Sequence, residues 1–298
     1  MSQRVVIAGG SGLIGRTLTD SLLADDVEVT TLVRREPKGP SEVRWLDGSP
    51  LDPSVLEGAT AVVNLNGASI GHIPWTPSYK RTLVSSRLQA TGVLAEALRE
   101  LGNAAPAFVS ASAVGYYGSQ PGRELREDAG PGGGFLSDLC VEWEAVARAA
   151  GSSPVTLLRT APVVHPEGVL KPLILLTRLG VGGPLGRGTQ VWPWISLVDE
   201  VRAIRHVIDA QLEGPVNLSG PTRATANDLG FALARRMNRP FIVRAPAWGL
   251  RLGLGRDMAD AVLLSDANVI PASLEASGFT FTHPTVEEAI AEVIPAAG

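Results

Sequence analysis

Three groups of residues in this chain have the types and spacing to do chemistry. The first is GGSGLIG at residues 9–15, between an apolar run at 5–8 and an amphipathic run at 16–24. Glycines there let the backbone come close to a pyrophosphate, and the helix that follows offers free N–H groups and a positive dipole end. The plainer alternative is a tight strand-to-helix turn with no ligand; a strand before and a helix after favour a nucleotide. The second group is Arg34 and Arg35, which close a β-branched run at 27–33, about twenty positions past the glycines. An acidic residue at that place accepts from a ribose 2′-OH, whereas an arginine accommodates a 2′-phosphate. Arg34 stands where the acid would be, which predicts NADP(H) rather than NAD(H); the alternative is a solvated basic pair. The third is a concentration of hydroxyls, Ser112, Tyr116 and Tyr117, at the carboxyl end of an apolar run at 106–112. Open parallel sheets hold their ligands at such ends, although packing under a loop would also explain them.

Composition narrows the field. The chain has 298 residues, 45% of them hydrophobic, enough to bury a sizeable core as one large or two smaller units. A net charge of −4 gives no electrostatic case for nucleic acid. The single cysteine, Cys140, excludes an internal disulfide and a thiolate cluster and fits a reducing, cytoplasmic location. Its place on the apolar face of a helix at 135–150 marks it as a core residue. The four histidines, His72, His165, His206 and His283, lack metal-ligand spacing, so no metal is expected. No apolar run reaches spanning length and residues 5–8 are too short for a signal sequence, so no membrane partner is expected.

These residues need elements to hold them. Strands at 5–8, 27–33, 42–46, 61–68, 106–112, 155–160 and 215–218 alternate with helical stretches, which implies an α/β fold with a parallel sheet covered on both faces. Thr76 followed by Pro77 starts a helix to about residue 100, Ser196 with Asp199 opens another to about 210, and Thr225 caps a third to 237. Residues 120–134 form a Pro/Gly-rich loop, and 180–188 a glycine-rich one without the strand and helix a phosphate cradle needs. The last sixty residues read as short helices ending at 285–293, a helical cap rather than more sheet.

Taken together, the chain resembles the extended short-chain dehydrogenase/reductase superfamily, and within it the atypical branch of epimerase family proteins, described as nucleoside-diphosphate-sugar epimerases or, more loosely, as cell-division inhibitors. GGSGLIG at 9–15, VRR at 33–35, SR at 86–87, SASAVGYYG at 110–118, WE at 143–144, LRT at 158–160, PWI at 193–195 and GF at 278–279 carry the resemblance along nearly the whole chain. It implies a Rossmann-type doubly wound sheet over residues 1–238, with 161–195 contributing to the substrate side, and a small, mainly helical substrate domain over 239–298. One departure stands out. Superfamily enzymes generally use a Tyr-x-x-x-Lys pair, in which lysine lowers the tyrosine pKa for proton transfer beside the nicotinamide. Four residues after Tyr79, Tyr116 and Tyr117 stand Leu83, Gln120 and Pro121, and the helix that should carry the pair has Phe135 and Leu139.

The expected function is an NADP(H)-dependent oxidoreductase or epimerase acting on a small polar substrate such as a nucleotide sugar. Gly9, Ser11, Gly12, Leu13 and Ile14 would hold the pyrophosphate, Arg34 and Arg35 the 2′-phosphate, and the turn with Asn66, Gly67 and Ala68 the adenosine-side ribose region. By resemblance, Arg87 and Thr160 add cofactor contacts, and Ser112 with Tyr116 or Tyr117 faces the nicotinamide. Lys171 reads as an exposed helix-start lysine rather than a substitute for the missing one. The alternative is a non-catalytic NADP(H)-binding regulator, for example one linked to cell division. A monomer or a homodimer fits either reading.

Overall fold

Alternation of side chains along the first strand builds both halves of the core. Val5 and Ile7 point to one face of the sheet and Val6 and Ala8 to the other, and all four are fully buried. A parallel strand buried on both faces must be apolar throughout, which is why this run carries no polar residue. The computed structural model describes residues 3–296.

From the amino end, β1 (Arg4–Ala8), α1 (Leu13–Leu23), β2 (Glu28–Val33), β3 (Glu42–Arg44) and β4 (Ala61–Asn64) form the first half of the sheet. Next come α2 (Pro77–Leu101), β5 (Ala107–Ala113), β6 (Glu124–Leu125), α3 (Phe135–Ala147) and β7 (Val155–Thr160). Then follow β8 (Val163–Val164), α4 (Leu170–Arg178), β9 (Ile195–Ser196), α5 (Leu197–Asp209), β10 (Gly214–Leu218) and α6 (Ala226–Arg236). The carboxyl-terminal part holds α7 (Ala247–Leu254), α8 (Arg256–Met258), β11 (Asn268–Val269), α9 (Ala272–Ala276) and α10 (Val286–Val293).

Seven of the strands make one parallel sheet in the order β10-β7-β5-β4-β1-β2-β3. The order reverses between β1 and β4, and the crevice at that reversal is where such sheets bind ligands. Leu18 and Leu22 of α1 pack with Val201, Ile204 and Val207 of α5 on one face. On the other, Leu94 and Leu98 of α2 pack with Ala147 of α3. This is a Rossmann-type doubly wound α/β fold. A third cluster, under Trp192 and Trp194, joins α4, α6 and α10, so α6 packs with the carboxyl-terminal helix across the expected boundary at 238.

Local chemistry explains the ends of the helices. Thr76 caps α2 through the Tyr79 amide, Ser196 caps α5 through Asp199, and Thr225 with Asp228 makes a reciprocal capping box on α6. Four expectations shift. α1 begins at Leu13, inside the glycine segment, rather than at 16. β3 stops at Arg44 because Leu46 adopts a left-handed φ of 55°, and β4 stops at Asn64, leaving 65–68 as a turn. The carboxyl-terminal part is not wholly helical, since β11 pairs in parallel with β6.

Candidate functional site

The glycine turn sits at the carboxyl end of β1, on the crevice where strand order reverses. A side chain at Gly9, whose φ is 94°, would lie 2.8 Å from the Leu65 carbonyl, and one at Gly10 would lie 2.8 Å from the Thr31 methyl. At Gly15 it would overlap the Gly9 carbonyl oxygen. These glycines therefore draw the turn tightly against β2 and the β4 turn. Gly12, at the amino cap of α1, has no side chain, so no side-chain oxygen receives the first-turn amides that include Leu13 and Ile14. The dipole end of an eleven-residue helix is left open toward the crevice, with Ser11 exposed beside it.

At the end of β2 the two arginines part ways. Arg35 donates both guanidinium nitrogens to Glu42, at 2.7 and 2.6 Å, and the Glu42 carboxyl is held down at about 2 by that bond. Arg34 is exposed and makes no hydrogen bond or ion pair among the described residues. Of the two arginines, only Arg34 therefore offers an uncommitted charge. Leu46 and Asp47, just beyond β3, lie on the same flank, and the left-handed turn at Leu46 is a feature sequence reasoning missed.

Beyond β4 the backbone is pinned from below. Asn64, fully buried, donates to Thr91 at 2.8 Å and accepts from the Asn66 amide and side chain at 3.3 and 2.9 Å. The Ala68 amide donates to Ser86 at 3.0 Å, and its carbonyl accepts from Arg87 at 3.1 Å. The Arg87 guanidinium lies under Gly67 and 5.1 Å from the centre of the Trp143 ring. Burial pushes its pKa down, and among the described residues no carboxylate pairs with it. Asn66, Gly67, Ala68 and Arg87 are thus one unit, with a cation at its centre.

The hydroxyls after β5 differ sharply. Ser112, buried, donates to Glu144 at 2.8 Å. Glu144 in turn is gripped by Arg159 through two bonds, at 2.8 and 3.0 Å, both groups being almost wholly enclosed. The Tyr117 hydroxyl accepts from Arg159 at 2.8 Å and donates to Asn217 at 2.7 Å. Burial pushes its pKa up to about 12 despite the neighbouring guanidinium. Ser112 and Tyr117 are therefore drawn into an interior network instead of standing at the sheet edge. Tyr116 covers the Arg159 guanidinium with its ring, 3.6 Å from the centroid, and its hydroxyl has no partner among the described residues. The network was legible in part: a charged residue inside the apolar run VTLLRT, and an acid on the apolar face of α3, must be paired to be buried.

Sequence reasoning also missed Glu200. Thr160, at the carboxyl end of β7, donates to Glu200 Oε1 at 2.9 Å, while Oε2 is buried with no partner. Enclosure without a cation pushes this carboxyl up to about 8. Cys140 is buried in α3 and its thiol is pushed up to about 12 by desolvation, which makes it a core residue. Lys171 is exposed. Asp199, in the first turn of α5 rather than at its cap, accepts from the Ser196 hydroxyl at 2.9 Å and from the backbone amides of Thr282 and His283, and so ties the last segment to α5. Among the described residues no group of three or more metal-binding side chains occurs, and no helix is long and apolar enough to cross a membrane.

Comparison with known proteins bears on this arrangement. Residues 5–219 match the family described as NAD dependent epimerase/dehydratase, and residues 245–293 match a domain of unknown function, DUF1731. An epimerase family protein of Mycobacterium tuberculosis is 42% identical over 291 residues, covering 96% of each chain. The crystal structure of the human epimerase family protein SDR39U1 with NADPH superposes with a TM-score of 0.86 at 32% identity, covering 98% of this chain and 99% of that one. A nucleoside-diphosphate sugar epimerase from Corynebacterium glutamicum gives a TM-score of 0.78 at 30% identity, covering all of this chain and 60% of its own.

Proposed function

Since the chain belongs to the NAD dependent epimerase/dehydratase family, we propose that it binds NADP(H) across the β1/β4 crevice and acts there as an oxidoreductase or epimerase on a small polar substrate. The observation that carries this reading is the open, uncapped start of α1 beside an unpaired Arg34. Gly9, Ser11, Gly12, Leu13 and Ile14 would hold the pyrophosphate, because backbone amides are the donors available there. Arg34 would meet the 2′-phosphate, with Arg35 held by Glu42 as its support. Asn66, Gly67 and Ala68 would line the ribose side, with Arg87 adding positive charge from beneath. The human relative solved with NADPH is consistent with this choice.

A bound nicotinamide would supply hydride transfer; the protein has to position a substrate and handle a proton. Tyr116 is the hydroxyl of the 110–118 segment left free to do so, since those of Ser112 and Tyr117 are committed inside. The Tyr116 ring is held in place by stacking on the Arg159 guanidinium, 3.6 Å from the ring centroid. Because Thr160 donates its proton to Glu200, its oxygen remains an acceptor for a cofactor amide or a substrate hydroxyl. The relative described as a nucleoside-diphosphate sugar epimerase makes a nucleotide sugar the substrate class to try first. A fluorescence titration with NADPH and NADH tests the cofactor reading, and equal affinity for both would remove Arg34 from it. A second reading, a non-catalytic NADP(H)-binding regulator, draws on the inward hydroxyls of Ser112 and Tyr117. Hydride exchange between bound cofactor and a panel of nucleotide sugars, abolished by Tyr116→Phe, would decide against it.

A further inference from the structure

Charge and apolar surface converge on one face built by α4 and the carboxyl-terminal part. Residues 229–256 contain six arginines and no aspartate or glutamate, in a chain whose net charge is −4. The same region holds the most exposed large apolar side chains among the described residues: Leu252 is 82% accessible, Ile242 75% and Trp248 71%. Trp248 and Leu252 lie one turn apart on α7, a helix with no buried residue, so its apolar stripe faces outward. Leu175 on α4 and Leu179 at its carboxyl cap repeat that arrangement at 59% and 67% accessibility. The two stripes are joined, because the Gly182 carbonyl just beyond α4 accepts from the Ile242 and Val243 amides at 3.0 and 3.1 Å. Arg178, Arg239 and Arg244 border this surface, exposed and without ion pairs among the described residues.

We propose that the face formed by α4, residues 239–244 and α7 docks reversibly on an anionic lipid bilayer. Exposed apolar side chains bordered by arginine, with a tryptophan among them, are the combination that partitions into the headgroup boundary of such a surface. A second copy of this chain would bring one arginine rim against another. Nucleic acid would leave Leu175, Leu179, Ile242 and Leu252 without a role, since aliphatic side chains offer nothing for a base to stack on. The lack of a spanning helix does not bear on surface docking.

Sedimentation of the full chain with phosphatidylcholine vesicles, with and without phosphatidylglycerol, tests the proposal. Co-sedimentation is expected only with the anionic vesicles, weakening as salt rises. Trp248→Ser with Leu252→Ser, and separately Arg239→Glu with Arg244→Glu, should each lower partitioning by at least about tenfold. Unchanged NADPH affinity and thermal unfolding would show that both variants are folded. Three results would overturn the idea: no vesicle binding, equal binding to neutral vesicles, or binding to a short DNA duplex that survives the Trp248 and Leu252 changes. Concentration-dependent dimers that these variants abolish, with no vesicle binding, would assign the face to self-association instead.

Discussion

The hydroxyl of Thr160 lies 2.9 Å from Glu200 Oε1, and among the described residues it is the one hydrogen-bond partner of a carboxyl that is fully enclosed. A neutral carboxylic acid is the form this site accommodates, so folding and protonation are linked. The folded pKa of about 8 is above the ordinary carboxylate value of 4.5. Stability is therefore whole below the unfolded value and declines as pH rises toward the folded one, by at most about 1.4 kcal/mol per pH unit. Chemical denaturation of Glu200→Gln should show a markedly flatter profile from roughly pH 5 to 8. An equal slope in both proteins would mean that Glu200 is ionised in the fold.

Arg34 and Arg35 are adjacent but not equivalent. Arg34→Ala should weaken NADPH binding by tenfold or more, on the scale of one charge-assisted hydrogen bond, roughly 1.5–3 kcal/mol. NADH affinity should be unchanged. Arg35→Ala should have a smaller effect, because its charge already meets Glu42. Titration by nicotinamide fluorescence separates the two, and a larger loss from Arg35 would reverse the assignment.

The two neighbouring tyrosines make a sharper pair. Tyr117→Phe removes an acceptor from buried Arg159 and a donor to Asn217, at about 1–3 kcal/mol of stability. Tyr116→Phe removes a hydroxyl that no described residue holds, and its stability should stay within about 0.5 kcal/mol. Turnover on a nucleotide sugar should respond the other way, with Tyr116→Phe the more damaging once stability is accounted for.

Gly15→Ala places a methyl against the Gly9 carbonyl and the Gly10 Cα. Overpacking of this kind costs about 1–3 kcal/mol, and here it pushes the turn outward. Thermal unfolding should fall together with NADPH affinity. Gly39→Ala, where an added Cβ meets nothing, is the control.

How much of this was written in the chain can be judged residue by residue. β1 was legible because an unbroken apolar run before glycines leaves few alternatives, and Cys140 because its neighbours share its helical face. Thr76, Ser196 and Thr225 announced their helices through side-chain chemistry that acts within three residues. Tyr116 and Tyr117 could not be told apart, since what separates them is Asn217, a hundred positions away. Nor could the sequence show that Glu42 would occupy Arg35 and leave Arg34 free, because that depends on β2 and β3 pairing in one register. Glu200 was hidden by its position next to Asp199, where a second acid in a first turn reads as ordinary dipole compensation.

The strand order has a consequence for a chain made from its amino end. β3, β2, β1 and β4 are neighbours in the sheet and are also the first four strands to be synthesised. Every later strand of this sheet, β5, then β7, then β10, joins on the same side, each beside the one most recently placed. The sheet can therefore be laid down like a wall extended from one end, with a single growing edge awaiting the next course as it leaves the ribosome.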